Sequence, residues 1–279
     1  MASPLSPKRA ADGPRRAGSK FVQTPIFEGL ARAGFLARGM VYAVIGILAL
    51  TLAFGAGGRA TDQEGALRTI GDRSFGTLLL TLMAIGLGGY ATWRLLRAAI
   101  GHGPEGSDSG FDRVSALASG LVYAFFCLVA VKILLDSSSK AGGSPDKTTG
   151  GVFDWPAGRW LVGLGGLVFL GVSLYQAYKG LTKSFLDDSK TNEMGPDVER
   201  TIGVLGMIGH LARGVVFALV GVFLVKAAVE LDAKETVGLD GALAKLLEQS
   251  HGQLLLGVVA AGLLAFAAYS ISDARYRKV

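Results

Sequence analysis

Six stretches of the chain are apolar and long enough to cross a bilayer, which takes roughly 20 residues at about 1.5 Å rise each. They run near residues 35–54, 75–96, 114–135, 160–178, 208–229 and 253–271. A helix on the surface of a water-soluble protein would show a polar stripe at 3.6-residue spacing. Residues 40–54 include one weakly polar side chain, Thr51, and residues 252–268 only Gln253, so lipid is the better solvent for these faces. Without water to satisfy the backbone, spanning segments must be helices or a closed barrel, and no ten-residue alternation of the barrel kind is present. The pattern predicts an all-α, polytopic integral membrane protein with six transmembrane helices.

Shorter amphipathic segments lie between and before the spans. Residues 239–249 place Leu239, Leu243, Leu246 and Leu247 on one face and Asp240, Lys245 and Glu248 elsewhere, as expected of a helix lying on the membrane as a lid or spacer. Ahead of the first span, Thr24 suits an N-cap and Pro25 the first helical position. Ile26, Phe27, Leu30 and Ala31 then form an apolar stripe that predicts an anchoring cytoplasmic helix.

Half of the 279 residues are apolar and 18% are charged, which excludes a disordered chain and does not suit a water-exposed surface. A single cysteine, Cys127, excludes a disulfide framework or a Cys-based metal centre within one chain. The net charge of +6 would suggest nucleic acid in a soluble domain, but its distribution points elsewhere. With both termini inside, the inner side holds 16 basic residues: Lys8, Arg9, Arg15, Arg16, Lys20, Arg32, Arg94, Arg97, Arg113, Lys179, Lys183, Lys190, Arg200, Arg275, Arg277 and Lys278. The outer side holds 8, namely Arg59, Arg68, Arg73, Lys140, Lys147, Arg159, Lys234 and Lys245. Positive loops stay in the cytoplasm, so both termini are expected there, in the plasma membrane. Residues 1–24 read as a disordered basic tail drawn to anionic headgroups. The first apolar run exceeds the roughly 7–15 residues of a signal-peptide core, so it is expected to stay as a span.

The spans repeat in pairs. Leu36-Ala37-Arg38-Gly39-Met40-Val41-Tyr42-Ala43 superimposes without gaps on Leu117-Ala118-Ser119-Gly120-Leu121-Val122-Tyr123-Ala124 and on Leu211-Ala212-Arg213-Gly214-Val215-Val216-Phe217-Ala218. Even-numbered spans align from Gly76, Gly158 and Gly252, each with an aromatic 17 residues later: Trp93, Tyr175 and Tyr269. Units one and three also share an outer segment, Gly65-Ala66-Leu67 and Gly241-Ala242-Leu243, each 11 residues before its reference glycine. The expected organisation is a tail (1–24) and three membrane repeats, 25–99, 111–183 and 200–276. All three run in the same direction, so they are parallel helical hairpins, and a pseudo-threefold arrangement about the membrane normal is the expectation.

The pattern resembles a bacterial membrane-protein family known as a domain of unknown function, number 1206, whose hallmark is three tandem two-helix units. The resemblance covers roughly residues 27–276. It rests on the Leu-Ala-Arg-Gly-x-Val-Tyr/Phe-Ala element at Leu36 and Leu211, the Gly-Ala-Leu outer segment, and the Gly-x-x-Leu-Leu start at Gly76. The middle unit departs, with Ser119 in place of arginine and residues 151–156 in place of the outer helical segment. The resemblance implies an architecture and brings no activity, ligand or catalytic residue.

Arg38 and Arg213 are the first candidates for function, because an ionisable group in a span is costly and often functional. Both lie near the cytoplasmic end, where they can snorkel to headgroups or bind an anion or lipid headgroup. Tyr42 and Phe217 follow them by four residues, which makes arginine-aromatic contacts available. At the other end, Lys132 with Asp136 matches Lys226 with Glu230, and Thr51 holds the position in unit one. These lysines read either as interfacial ion pairs or, facing a cavity, as an outer cationic ring on an anion path to Arg38 and Arg213.

No catalytic apparatus is legible. Residues 146–150 resemble an ATPase phosphorylation motif only in the wrong order and on the wrong side, and His102, His210 and His251 lie at different membrane depths and cannot share a metal. His210 reads as a packing residue. The polar residues available to line a path, Thr81, Thr92, Ser173 and Ser270, are sparse. The reading is a non-enzymatic scaffold, interaction or lipid-binding membrane protein without cofactor, with a small channel or transporter for an anionic solute as the alternative. Its expected partners are anionic lipid headgroups and an unidentified membrane protein, not nucleic acid.

Overall fold

The structure, a computed structural model, describes residues 25–55, 61–71, 76–100, 110–135, 157–231 and 238–278. The basic tail 1–24 and the outer segment 136–156 of the middle unit lie outside the described residues. Eight α-helices are described: α1 (Pro25–Ala53), α2 (Gln63–Gly71), α3 (Gly76–Ile100), α4 (Gly110–Leu135), α5 (Gly158–Thr182), α6 (Pro196–Glu230), α7 (Leu239–Leu247) and α8 (Gly252–Tyr276). Six of them, α1, α3, α4, α5, α6 and α8, are long and apolar enough to span a membrane. Pro196 opens α6 at a position where its missing N–H costs nothing, and Leu231 at φ 54° ends it. Among the described residues the extended backbone is confined to one antiparallel bridge between Ser189 and Arg277.

The sequence predicts an anchoring helix ahead of the first span. Instead, α1 runs unbroken from Pro25 through the span. Its first turns are held to the last turn of α8, where Arg32 Nη1 donates to Ala274 O at 3.0 Å. This places both ends of the described chain at one end of the bundle, termed the N/C end below.

Neighbouring helices come from different repeat units as well as from the same one. Between units, α3 packs on α4, α5 on α6 and α8 on α1, so each even helix meets the odd helix of another unit. Within units, α1 packs on α3 and α6 on α8, but α4 and α5 make no comparable contact among the described residues. The row therefore runs α4, α3, α1, α8, α6, α5, with the two helices of the middle unit at its ends. These two also form its thin side, with 17% of each spanning window buried against 39–50% for the other four.

One glycine per joint sets the approach of the paired helices. Gly39, Gly120 and Gly214 directly follow Arg38, Ser119 and Arg213. A methyl group on Gly39 would lie 2.7 Å from Ile271 Cγ1, and one on Gly120 would lie 2.8 Å from Leu95 Cγ. On Gly214 it would lie 3.7 Å from Ala177 N. Ile271, Leu95 and Ala177 each stand 19 residues after their unit's reference glycine, so the three joints are built at equivalent positions.

At the opposite end, α2 and α7 turn their apolar faces into the bundle. Ala66, Leu67 and Ile70 of α2, and Leu239, Leu243 and Leu246 of α7, are buried in one core with Ile45, Ala49 and Leu256. The expectation that residues 239–249 lie on the membrane is corrected by this burial: three of the four leucines cover protein rather than lipid. The helices act as caps, which suits their length of 9 residues each, too short for independent stability in water.

Candidate functional site

At the α8–α1 joint, Arg38 turns into the protein rather than toward headgroups. Its Nε donates to Ser270 Oγ at 3.1 Å and its Nη2 to Asp273 Oδ2 at 2.8 Å. The Arg38 and Asp273 side chains are 11% and 3% exposed, so this is a buried, neutralised ion pair. The guanidinium carbon also lies 5.1 Å from the Phe35 ring and 5.3 Å from that of Phe266. Tyr42, expected to serve Arg38, does not appear among its aromatic neighbours.

The α3–α4 joint uses the same chemistry with the helices exchanged. Arg94 Nε of the even helix donates to Ser119 Oγ of the odd helix at 3.0 Å. Ser119 occupies the place of Arg38 in its repeat, and Arg94 occupies the place of Ser270, each of the latter pair 18 residues after its reference glycine. The missing arginine of the middle unit is therefore supplied by the helix facing it.

The third joint, α5–α6, has Arg213 on the odd helix and Gln176 in the place of Arg94 and Ser270. Arg213 lies within 4.3 Å of the Phe266 ring, 5.2 Å of Tyr42 and 5.1 Å of Phe217, an aromatic cage drawn from α1, α6 and α8. Its Nε is buried and finds no acceptor among the described residues, and neither does Nε2 of buried Gln176. The carboxylate that completes the first joint is replaced here as well: Asp273, 21 residues after its reference glycine, corresponds to Lys179 in α5 and Arg97 in α3.

The loop between α5 and α6 closes the N/C end over this tier. Its Lys190 N donates to Tyr276 O at 2.7 Å and Lys278 N donates to Asp188 O at 3.0 Å, tying it to the segment after α8. Asp188 Oδ2 accepts from Arg277 Nη2 at 2.7 Å and lies 3.8 Å from Lys179 Nζ. Burial would push the Asp188 carboxyl up, but Arg277, Lys179, Arg97 and Arg94 outweigh it and hold it below the usual carboxylate range. One loop carboxylate thus answers cations from α3, α5 and the C-terminal segment.

The other predicted residues lie apart from this tier. Lys132 and Lys226 are exposed on the outer surfaces of α4 and α6, and Lys226 Nζ is 3.8 Å from Glu230 Oε2. Lys226 stands 13 residues beyond Arg213, about 20 Å along the helix, and the structure does not bring the two together. Asp136 is outside the described residues. His210 is buried, stacks on Phe185 at 4.9 Å between ring centroids, and donates from Nδ1 to Gly206 O at 2.7 Å. Thr81 and Thr92 donate to their own helix backbone, and Ser173 bridges to Gly214 O at 2.8 Å across the third joint.

Reading the odd helices alone missed Arg94, Ser119, Gln176, Ser270 and Asp273. A signal was available: the position 18 residues after each reference glycine is polar in all three units, within otherwise apolar spans.

The chain matches the family model described as Domain of Unknown Function (DUF1206) three times, over residues 33–101, 114–183 and 208–277. It is 35% identical over 258 residues to the uncharacterized protein YxxB of Bacillus subtilis (strain 168), which covers 91% of this chain and 92% of that relative. No solved structure matches it. Each match opens near the first helix and ends near the second helix of one hairpin, so on three consecutive matches and a relative aligned along nearly its whole length, the chain belongs to the DUF1206 family.

Proposed function

We propose that the protein is a membrane scaffold that binds anionic lipid headgroups at its N/C end. We place that end at the cytoplasmic face of the plasma membrane. The observation that carries this reading is the charge balance of one tier. Arg38, Arg94, Arg97, Arg213, Lys179 and Arg277 converge there, and the acids that answer them by contact are Asp188 and Asp273. Cations held at the depth of a leaflet's phosphates favour lipids with net negative charge, by on the order of 1 kcal/mol for each near the surface. The excess of inner over outer basic residues supports the orientation.

The buried caps α2 and α7 weigh against a conduit, since they seal the far end over units one and three with leucine and alanine rather than polar groups. The exposed setting of Lys132 and Lys226 weighs the same way. The test is extraction of the full chain into native-lipid nanodiscs, followed by mass spectrometry of the retained lipids. Anionic phospholipids should be enriched over the bulk membrane. Retained lipid of bulk composition would refute the reading, and anion flux in reconstituted vesicles would replace it with the channel.

A further inference from the structure

Three equivalent joints present three answers to one problem, the acceptor for an arginine Nε inside the bundle. At α8–α1 the acceptor is Ser270 Oγ, with Asp273 supplying the counter-charge. At α3–α4 it is Ser119 Oγ. At α5–α6 the residue in that place is Gln176, and both Arg213 Nε and Gln176 Nε2 are buried donors without an acceptor among the described residues. Gln176 is 6% exposed, so bulk water does not serve its amide. The two residues belong to one contact, because a methyl group on Gly214 would lie 3.7 Å from Gln176 Cβ.

Buried donors without partners are uncommon in folded proteins and point to a group that completes them. Two converging N–H donors, one of them on a guanidinium that cannot lose its charge, match an oxyanion better than a neutral acceptor. The two nearby acids are already engaged: Asp273 Oδ2 accepts from Arg38, and Asp188 Oδ2 accepts from Arg277. Two other buried donors lack acceptors, Trp93 Nε1 and Arg277 Nε. The first is neutral, and the second belongs to a guanidinium already paired with Asp188. Arg213 is the cation of the tier that aromatic rings alone surround.

We propose that the α5–α6 joint is a phosphate site, in which an oxygen of a phosphodiester or phosphate accepts from Arg213 Nε and Gln176 Nε2. The proposal rests on the anionic-headgroup reading above and names where that headgroup is held. A bilayer lipid can reach it from the side, because α5 ends the packed row and leaves Leu174 and Leu181, which flank Gln176 by two and five residues, exposed. Lys179, one turn beyond Gln176, keeps the place cationic where α8 has its acid.

The experiment compares the full chain with Arg213→Met, Gln176→Glu and Arg94→Gln in two settings. The first is nanodiscs of phosphatidylcholine containing phosphatidylglycerol, read by native mass spectrometry of retained lipid. The second is phosphatidylcholine nanodiscs titrated with inorganic phosphate, read by melting temperature. The wild type should retain phosphatidylglycerol, Arg94→Gln should retain it too, and Arg213→Met and Gln176→Glu should bind it at least about tenfold more weakly.

Gln176→Glu should also melt higher than wild type in ligand-free phosphatidylcholine, since its carboxylate takes the ligand's place. That gain separates loss of a site from loss of folding. Stabilisation of the wild type, but not of Arg213→Met or Gln176→Glu, by inorganic phosphate alone would support the site with free phosphate as its occupant. Enrichment of phosphatidylglycerol that survives both variants would overturn this site and leave the broader reading standing. Absence of enrichment in the wild type together with no response to phosphate would overturn both.

Discussion

Exchange of arginine and serine between the first two joints makes a direct prediction: Arg94→Ser and Ser119→Arg should each harm the protein, and together they should repair it. Arg94→Ser removes the 3.0 Å bond from a charged donor to Ser119 Oγ, an interaction of about 1.5–3 kcal/mol. It also removes cation–π contacts at 5.7 Å and 6.0 Å, near the outer limit of the interaction, for about 0.5 kcal/mol each. Both residues are half-buried, so the lower part of the range applies and the expected cost is about 2 kcal/mol. Ser119→Arg alone sets a second guanidinium against the first with no acid in the joint, and should cost at least as much. In the double variant the arginine sits on the odd helix facing a serine, as Arg38 faces Ser270. It should lie within about 1 kcal/mol of wild type, a coupling well beyond the few tenths expected of independent sites. Reversible unfolding of the four proteins in mixed micelles closes the cycle. A double variant as unstable as the sum of the two singles would refute the equivalence of the joints.

Asp273→Ala should destabilise by about 3–5 kcal/mol because it strands a buried guanidinium, whereas Arg38→Met with Asp273→Leu should recover most of that loss; the same unfolding assay distinguishes them, and an Asp273→Ala protein as stable as wild type would sink the ion-pair account. Gly209→Ala should cost about 1–3 kcal/mol, since the added methyl would lie 2.6 Å from Phe266 Cα and so meets backbone that cannot rotate away; an unchanged melting temperature would contradict that packing. The Asp188 carboxyl is held below its unfolded value, so its stabilising contribution is complete above the ordinary carboxylate range and disappears as pH falls through the folded value. Asp188→Asn should therefore flatten the acid limb of a stability-against-pH curve while leaving the neutral limb parallel to wild type, and an unaltered acid limb would show the loop carboxylate to be idle.

The six spans, the repeat spacing and the all-helical class are legible in the sequence because lipid imposes one simple rule, long apolar runs with internally satisfied backbone. The caps were legible as amphipathic helices but not in their destination. Leu239, Leu243 and Leu246 make the same stripe whether it faces lipid or protein, and only the packing of α7 on α6 and α8 decides. The site was half legible. Arg38 and Arg213 stand out within apolar runs, but their partners lie 235 residues away in one case and on a preceding helix in the other. Arg94 was read as a flanking positive charge because topology counting treats each cation by its side of the membrane and ignores what it faces. Ser119 looked like a lapse in the repeat until Arg94 was found opposite it.

The bond between Arg38 and Asp273 joins the first spanning helix to the last across 235 residues of chain. Helices made by a ribosome enter the membrane in order, so for most of its synthesis the protein carries Arg38 with no acid to meet it. During that interval the charge is free to hold the start of the chain on its own side of the membrane, and only the arrival of α8 converts it from an orienting signal into a fastening. A chain halted before residue 273 keeps an unanswered cation in its first span, so completeness is recorded inside the bundle itself, as the neutralisation of one arginine.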